Sequence, residues 1–201
     1  MRRTFGLRPR PQRGDVGVHD ISSESVADFR GVYGFTKRIG EQIAEEYVNQ
    51  YHLNIITLRP RAFIPHWNTE VYQSYIAWAK WYWGGAVHIE DVAEAVWLAV
   101  DLLNKQALDT HLILPVDGAY EYTREDLLNW DQEGHGTTFK KYYDDYFNLV
   151  IQHGLDPAAK PSMQDMTETT RWLGYKPKFS LKNLLADLKK YGEKGPPPLS
   201  K

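Results

Sequence analysis

A tyrosine and a lysine one helical turn apart are the residues whose types and spacing could do chemistry in this chain. Within Tyr33-Gly34-Phe35-Thr36-Lys37 they lie four positions apart, so on a helix their side chains share a face. A phenol is a poor acid or base at neutral pH because it ionises near pH 10. An ammonium beside it favours the phenolate and brings proton transfer toward the working range, and it can also donate hydrogen bonds to a ribose. A Tyr and a Lys at this spacing also fall together by chance on surface helices, so the surrounding elements must decide.

Val32, Phe35, Ile39, Ile43 and Tyr47 recur at three- and four-residue steps, which predicts an amphipathic helix from Val32 to about Gln50. Leu53 to Leu58, short and β-branched and stopped by Arg59-Pro60, predicts a buried strand. Residues 69–83 read as an aromatic-rich helix ended by Gly84-Gly85, and 86–89 as a short strand. Asp91 with Glu94 three positions on reads as a capping box, Asp91 being the N-cap of a helix to about Leu103. Thr110 to Val116 is a further strand, and Thr123 caps a helix through about Trp130. An amphipathic stretch at 139–152 and helices at about 167–173 and 181–191 complete the chain. Strands alternating with helices argue for a parallel sheet with helices on its faces, and the helix-rich end for an appended lobe.

Composition narrows the chemistry. The 201 residues can bury a sizeable core, and 42% hydrophobic and 25% charged residues are ordinary for a globular chain. A net charge of -2 demands neither nucleic acid nor an anionic membrane, and no apolar run is long enough to span a bilayer. With 0 Cys there are no disulfides or thiolate metal sites, which fits a reducing, cytoplasmic setting. The 7 His are scattered without ligand spacing, so no metal is expected. Residues 1–30 read as an irregular segment: five arginines precede Gly14, but Pro9 and Pro11 interrupt any targeting helix. The aromatic group Trp78, Trp81, Tyr82 and Trp83 reads as core before cleft wall or partner surface.

Four blocks in order resemble the extended short-chain dehydrogenases/reductases, the NAD-dependent epimerase/dehydratase family. They are Tyr33-Gly34-Phe35-Thr36-Lys37 with Glu41, Ile55-Ile56-Thr57-Leu58-Arg59-Pro60, Val87-His88-Ile89-Glu90-Asp91-Val92-Ala93, and Trp172-Leu173-Gly174-Tyr175-Lys176-Pro177 with Ser180-Leu181. Each block is weak; the ordered set, covering about residues 31–190, is strong. The resemblance implies an α/β chain: a partial Rossmann-like parallel sheet over 31–116, a small mostly helical substrate-binding lobe over 117–192, and a disordered tail at 193–201. It implies NAD or NADP as cofactor and a small-molecule substrate, by family default a nucleotide-sugar or related carbonyl or alcohol. Tyr33 would be the catalytic acid/base, and Lys37 would favour its phenolate and hold the nicotinamide ribose. Pro60, Ala62 and Phe63 would lie along the nicotinamide. Arg59 would contact substrate or pair with a local carboxylate. N-capping accounts for Asp91 without chemistry, and His88 reads as a packed histidine.

The chain departs from the family pattern in two places. The family's glycine-rich βα turn, which holds the pyrophosphate at a helix N-terminus, has no match; Gly14 and Gly17 have only its first spacing. The family's Ser or Thr, roughly two dozen positions before the Tyr and hydrogen-bonded to the substrate oxygen, falls near Arg8, and Ser22, Ser23 and Ser25 are too close to Tyr33. The expectation is a C-terminal portion, acting as a homodimer or paired with a chain that supplies the missing half. The alternative is a catalytically silent interaction module.

Overall fold

The computed structural model describes residues 31–198. Two strands, β1 (Ile56–Pro60) and β2 (Leu112–Val116), run parallel in register from Ile56 opposite Leu112 to Pro60 opposite Val116. Parallel neighbours need a crossover, and α3 (Ile89–Lys105) lies within it. Ala95 and Ala99 of α3 pack with Val87, Leu112, Leu114 and Val116, so small residues let the helix lie close on the sheet. α1 (Gly31–Tyr51) precedes β1, and α2 (Tyr75–Trp83) follows it after a loop. Among the described residues the sheet has these two strands, with β2 largely buried and β1 half-buried.

Further helices follow, most of them packed into a second core. They are α4 (Arg124–Leu128), α5 (Thr137–Tyr143), α6 (Phe147–Gln152), α7 (Thr167–Leu173) and α8 (Leu181–Tyr191). Trp78, Tyr82 and Trp83 of α2 pack with Phe139, Tyr143, Val150, Leu181, Leu184, Leu185 and Leu188. The aromatic group is therefore mainly core, with Trp81 packed at its margin. α7 belongs to the sheet side, where the Thr169 hydroxyl donates to Pro115 O at 2.6 Å and Tyr175 to Asp117 O at 3.1 Å. The chain is a mixed α/β fold, mostly helical, with two cores meeting where Ala86 of one is followed by Val87 of the other.

Several expectations need correction. α3 begins at Ile89 with His88 as its N-cap, so Asp91 is not a cap. No strand forms at 86–89; the Val87 N–H instead reaches Ala62 O at 3.2 Å. α2 starts at Tyr75 rather than 69, because the Ser74 hydroxyl caps Ala77 N at 3.1 Å. The stretch at 139–152 breaks into α5, a 3-10 turn and α6. The described part of the expected disordered tail is docked: Gly195 sits against the Tyr75 ring, and Pro196 O is 3.0 Å from His66 Nε2. The apolar stripe of α1 faces outward, Val32, Phe35, Ile43 and Tyr47 being exposed, while Gly34 and Val48 are buried. The irregular N-terminal segment 1–30 lies outside the described residues.

Candidate active site

The first turns of α1 bring Tyr33 and Lys37 together. Lys37 Nζ lies 5.1 Å from the Tyr33 ring centroid, in the range of a cation–π contact, and the Thr36 hydroxyl donates to Tyr33 O at 2.7 Å. Both side chains are open, Tyr33 being 70% exposed. A substrate hydroxyl or a ribose can reach them directly. Arg8, Ser22, Ser23 and Ser25, the positions weighed for a third catalytic residue, lie outside the described residues.

Pro60 ends β1, and Ala62 and Phe63 follow on the exposed side of the strand exit. This is the carboxyl end of the parallel pair, where open α/β sheets hold ligands. Arg59 is taken: its Nε and Nη2 reach Glu41 Oε1 and Oε2 at 2.6 and 2.8 Å, both side chains being largely buried. Of the two roles open to it in the sequence, the carboxylate pair is the one the geometry shows.

Asp91 is a buried tie between elements. Its carboxylate accepts the backbone N–H groups of Lys178 at 2.8 Å and Phe179 at 3.1 Å, fixing the chain that enters α8. His88 stacks on Phe179 at 4.4 Å between ring centroids, and burial lowers its pKa against the opposing pull of Glu90 and Asp91. It is a packed histidine and a helix cap.

Two residues that the sequence did not single out organise the strand exits. Arg61 sends Nη2 to Gly85 O at 2.8 Å and Nη1 to the Ser162 hydroxyl at 3.1 Å, and its Nε lies 4.0 Å from Asp117 Oδ1. Asp117, at the end of β2, accepts Gly118 N at 2.9 Å and Gln164 N at 2.7 Å. Burial pushes the Asp117 carboxyl up to about 6, with the Arg61 charge and the two N–H groups pulling the other way. The usable signal was an arginine and an aspartate each directly following an apolar strand.

Among the described residues no group of three His, Asp or Glu is placed to hold a metal, and no helix is long and apolar enough to cross a membrane. An open groove of about 630 Å³ on the helical lobe is lined by Glu125, Asp126, Asn129, Lys140 and Lys141 among others, and by none of the candidate residues.

No protein-family model matches the chain, and no curated protein does. Solved structures similar to it include a UDP-galactose 4-epimerase, at TM-score 0.46 and 16% identity over 84% of this chain and 61% of that one. Another is a UDP-glucose-4-epimerase from Stenotrophomonas maltophila with bound NAD and formylated UDP-arabinopyranose, at TM-score 0.46 and 18% identity over 85% and 61%. A third is a UDP-glucuronic acid 4-epimerase from Bacillus cereus in complex with NAD, at TM-score 0.42 and 17% identity over 82% and 57%. The chain spans about three-fifths of the length of these structures, and the ligands named belong to them.

Proposed function

We propose that the chain is a C-terminal portion of an NAD(P)-dependent epimerase/dehydratase or oxidoreductase of the extended short-chain type. The observation that carries this reading is the co-facial, open Tyr33–Lys37 pair on α1. Its chemistry is proton transfer at a substrate oxygen: Tyr33 takes the proton of a carbinol hydroxyl, and the carbon's hydrogen leaves with its electron pair, giving a carbonyl. NAD or NADP, when bound, supplies the hydride acceptor. Lys37 would donate hydrogen bonds to the ribose, while Pro60, Ala62 and Phe63 would flank the nicotinamide. On this reading Tyr33, Lys37, Pro60, Ala62 and Phe63 would serve the nicotinamide end, and the described residues contain no glycine-rich strand-to-helix turn for a pyrophosphate. A nucleotide-sugar or related alcohol is the proposed substrate class, a cytoplasmic setting is part of the reading, and assembly is as a homodimer or with a chain that supplies the phosphate-binding half.

A second reading is favoured by one observation. The outward apolar face of α1 and the half-buried β1 would suit a surface that works by binding another chain. On that reading the chain is catalytically silent.

Calorimetric titration of the 201-residue chain with NAD and NADP, in both redox states, separates the two. Micromolar binding that is lost in Tyr33→Phe with Lys37→Ala supports the first. A folded chain indifferent to all four nucleotides supports the second.

A further inference from the structure

We propose that Arg61 is a positioning residue that clamps the strand-exit segment, residues 60–63, to the connection between α2 and α3, and so holds one wall of the site in place. Three ties converge on this short segment. Arg61 N donates to Val116 O at 2.9 Å, Ala62 O accepts the Val87 N–H at 3.2 Å, and the Arg61 guanidinium spans the rest. Its Nε and Nη2 donate to Gly85 O at 3.2 and 2.8 Å, Nη2 also to Gly84 O at 3.4 Å, and Nη1 to the Ser162 hydroxyl at 3.1 Å. Ser162 N in turn donates to Gly84 O at 3.2 Å. One planar fork thus joins the β1 exit, the α2–α3 connection and the loop before α7.

The surroundings are built around that fork. Gly85 has φ +115, and a Cβ there would collide with Arg61 Nη2 and Ser162 O, so the approach requires glycine. The hydrogen-bond acceptors around the guanidinium are two carbonyls and a hydroxyl, all neutral. Asp117 balances its charge from 4.0 Å, beyond hydrogen-bond reach, with both oxygens already engaged by backbone N–H groups. A lysine would keep the charge but present its donors from a single nitrogen, where four contacts now leave three nitrogens of a planar fork. The clamp sits where the chain passes between the two cores, so it couples a segment on the sheet side to the helical lobe.

The functional part of this inference rests on the reading that residues 60–63 line the nicotinamide; the clamp itself does not. Two readouts keep them apart, using the full chain with Arg61→Met, Arg61→Lys and Ser162→Ala. The first is amide hydrogen exchange without nucleotide. Arg61→Met should raise exchange at Val87 and Ser162 at least tenfold while Leu184 and Leu188 of α8 stay protected, with Arg61→Lys intermediate and Ser162→Ala mildest. Unchanged exchange at Val87 and Ser162 in Arg61→Met overturns the clamp. If Arg61→Met does not fold, the same comparison in Arg61→Lys and Ser162→Ala decides. The second readout is the emission of bound NADH and its dissociation constant. Arg61→Met should weaken binding about tenfold and shift the emission toward that of free NADH, with partial recovery in Arg61→Lys. Faster exchange with unchanged NADH binding and emission overturns the positioning role and leaves a structural tie. A wild-type chain that binds no NADH refutes the cofactor reading and with it the positioning role, while exchange still judges the clamp.

Discussion

Arg59 and Glu41 form a two-point ion pair, Nε to Oε1 at 2.6 Å and Nη2 to Oε2 at 2.8 Å, that ties β1 to the middle of α1. Glu41 is one turn beyond Lys37 on the same helix, so this pair helps to set where Tyr33 and Lys37 sit relative to the strand exit. Otherwise α1 is buried only at Gly34 and Val48. Among the described residues, the pair is thus a main tie between the sheet and the helix that carries the candidate chemistry.

Removing one side of that pair should cost more than removing both. Glu41→Gln keeps the shape but leaves a largely buried guanidinium without its carboxylate, and about 2 kcal/mol of stability should be lost. Arg59→Met with Glu41→Gln should recover part of it. Urea unfolding of the wild type, both single variants and the double variant gives the coupling. Additive effects would show that α1 is held by something else.

Asp91 yields a second expectation. Both its oxygens accept backbone N–H groups, from Lys178 and Phe179. Asp91→Asn turns one acceptor into a donor facing a donor, so the loss should be about 2 kcal/mol, whereas loss of a helix N-cap would cost about 1. Thermal unfolding of Asp91→Asn beside His88→Ala tests the assignment. A loss below about 1 kcal/mol for Asp91→Asn would mean that the two N–H bonds it accepts carry little of the tie to α8.

That contrast shows where the sequence was legible. α7 and α8 lie where the pattern placed them, because Gly174 in the left-handed region and Ser180 as a capping-box residue are local stops and starts. Asp91 misled because the Asp-to-Glu spacing is also what a helix starting three residues earlier displays, and its true partners are 87 and 88 positions away. The outward turn of α1 was illegible for a related reason. A hydrophobic stripe says that a helix has an apolar face, not that the face is covered; the covered face here is made by Gly34, Val48 and an ion-paired glutamate. Tyr33 and Lys37 were readable because one helical turn brings them together without tertiary help. Arg61 and Asp117 were not, since a charged residue after a strand acquires its meaning only from the loops that close on it.

Gly85 offers a test that bears on this non-local organisation. Gly85→Ala adds one methyl group at φ +115, where Arg61 and Ser162 O already fill the space. Backbone strain and displacement of the Arg61 fork should together cost about 3 kcal/mol. Gly174→Ala, at φ +64 with nothing within 4 Å of the added Cβ, should cost only about 1 kcal/mol. Equal melting-temperature losses in the two variants would mean that backbone strain alone governs both positions.

Acid should weaken the helical lobe through Asp126. Its carboxylate accepts from Thr123 N and the Thr123 hydroxyl, both at 2.7 Å, from Lys141 Nζ at 2.6 Å and from the Tyr142 hydroxyl at 2.5 Å. Burial works to raise its pKa, but these donors outweigh it and hold the carboxyl below the usual carboxylate range. A carboxyl whose folded pKa is depressed contributes stability that is complete above its unfolded pKa and is lost as pH falls through the folded one. The window therefore opens near pH 4 and extends downward. Asp126→Asn should be less stable than the wild type by about 2 kcal/mol at pH 7, and the gap should narrow steadily below about pH 4 as the wild-type carboxyl protonates. Urea midpoints for the two proteins between pH 7 and pH 2.5 measure the gap. A gap constant across that range would mean that the four donors stabilise the protonated acid as well as the carboxylate, and that α4 is held by its cap geometry rather than by charge.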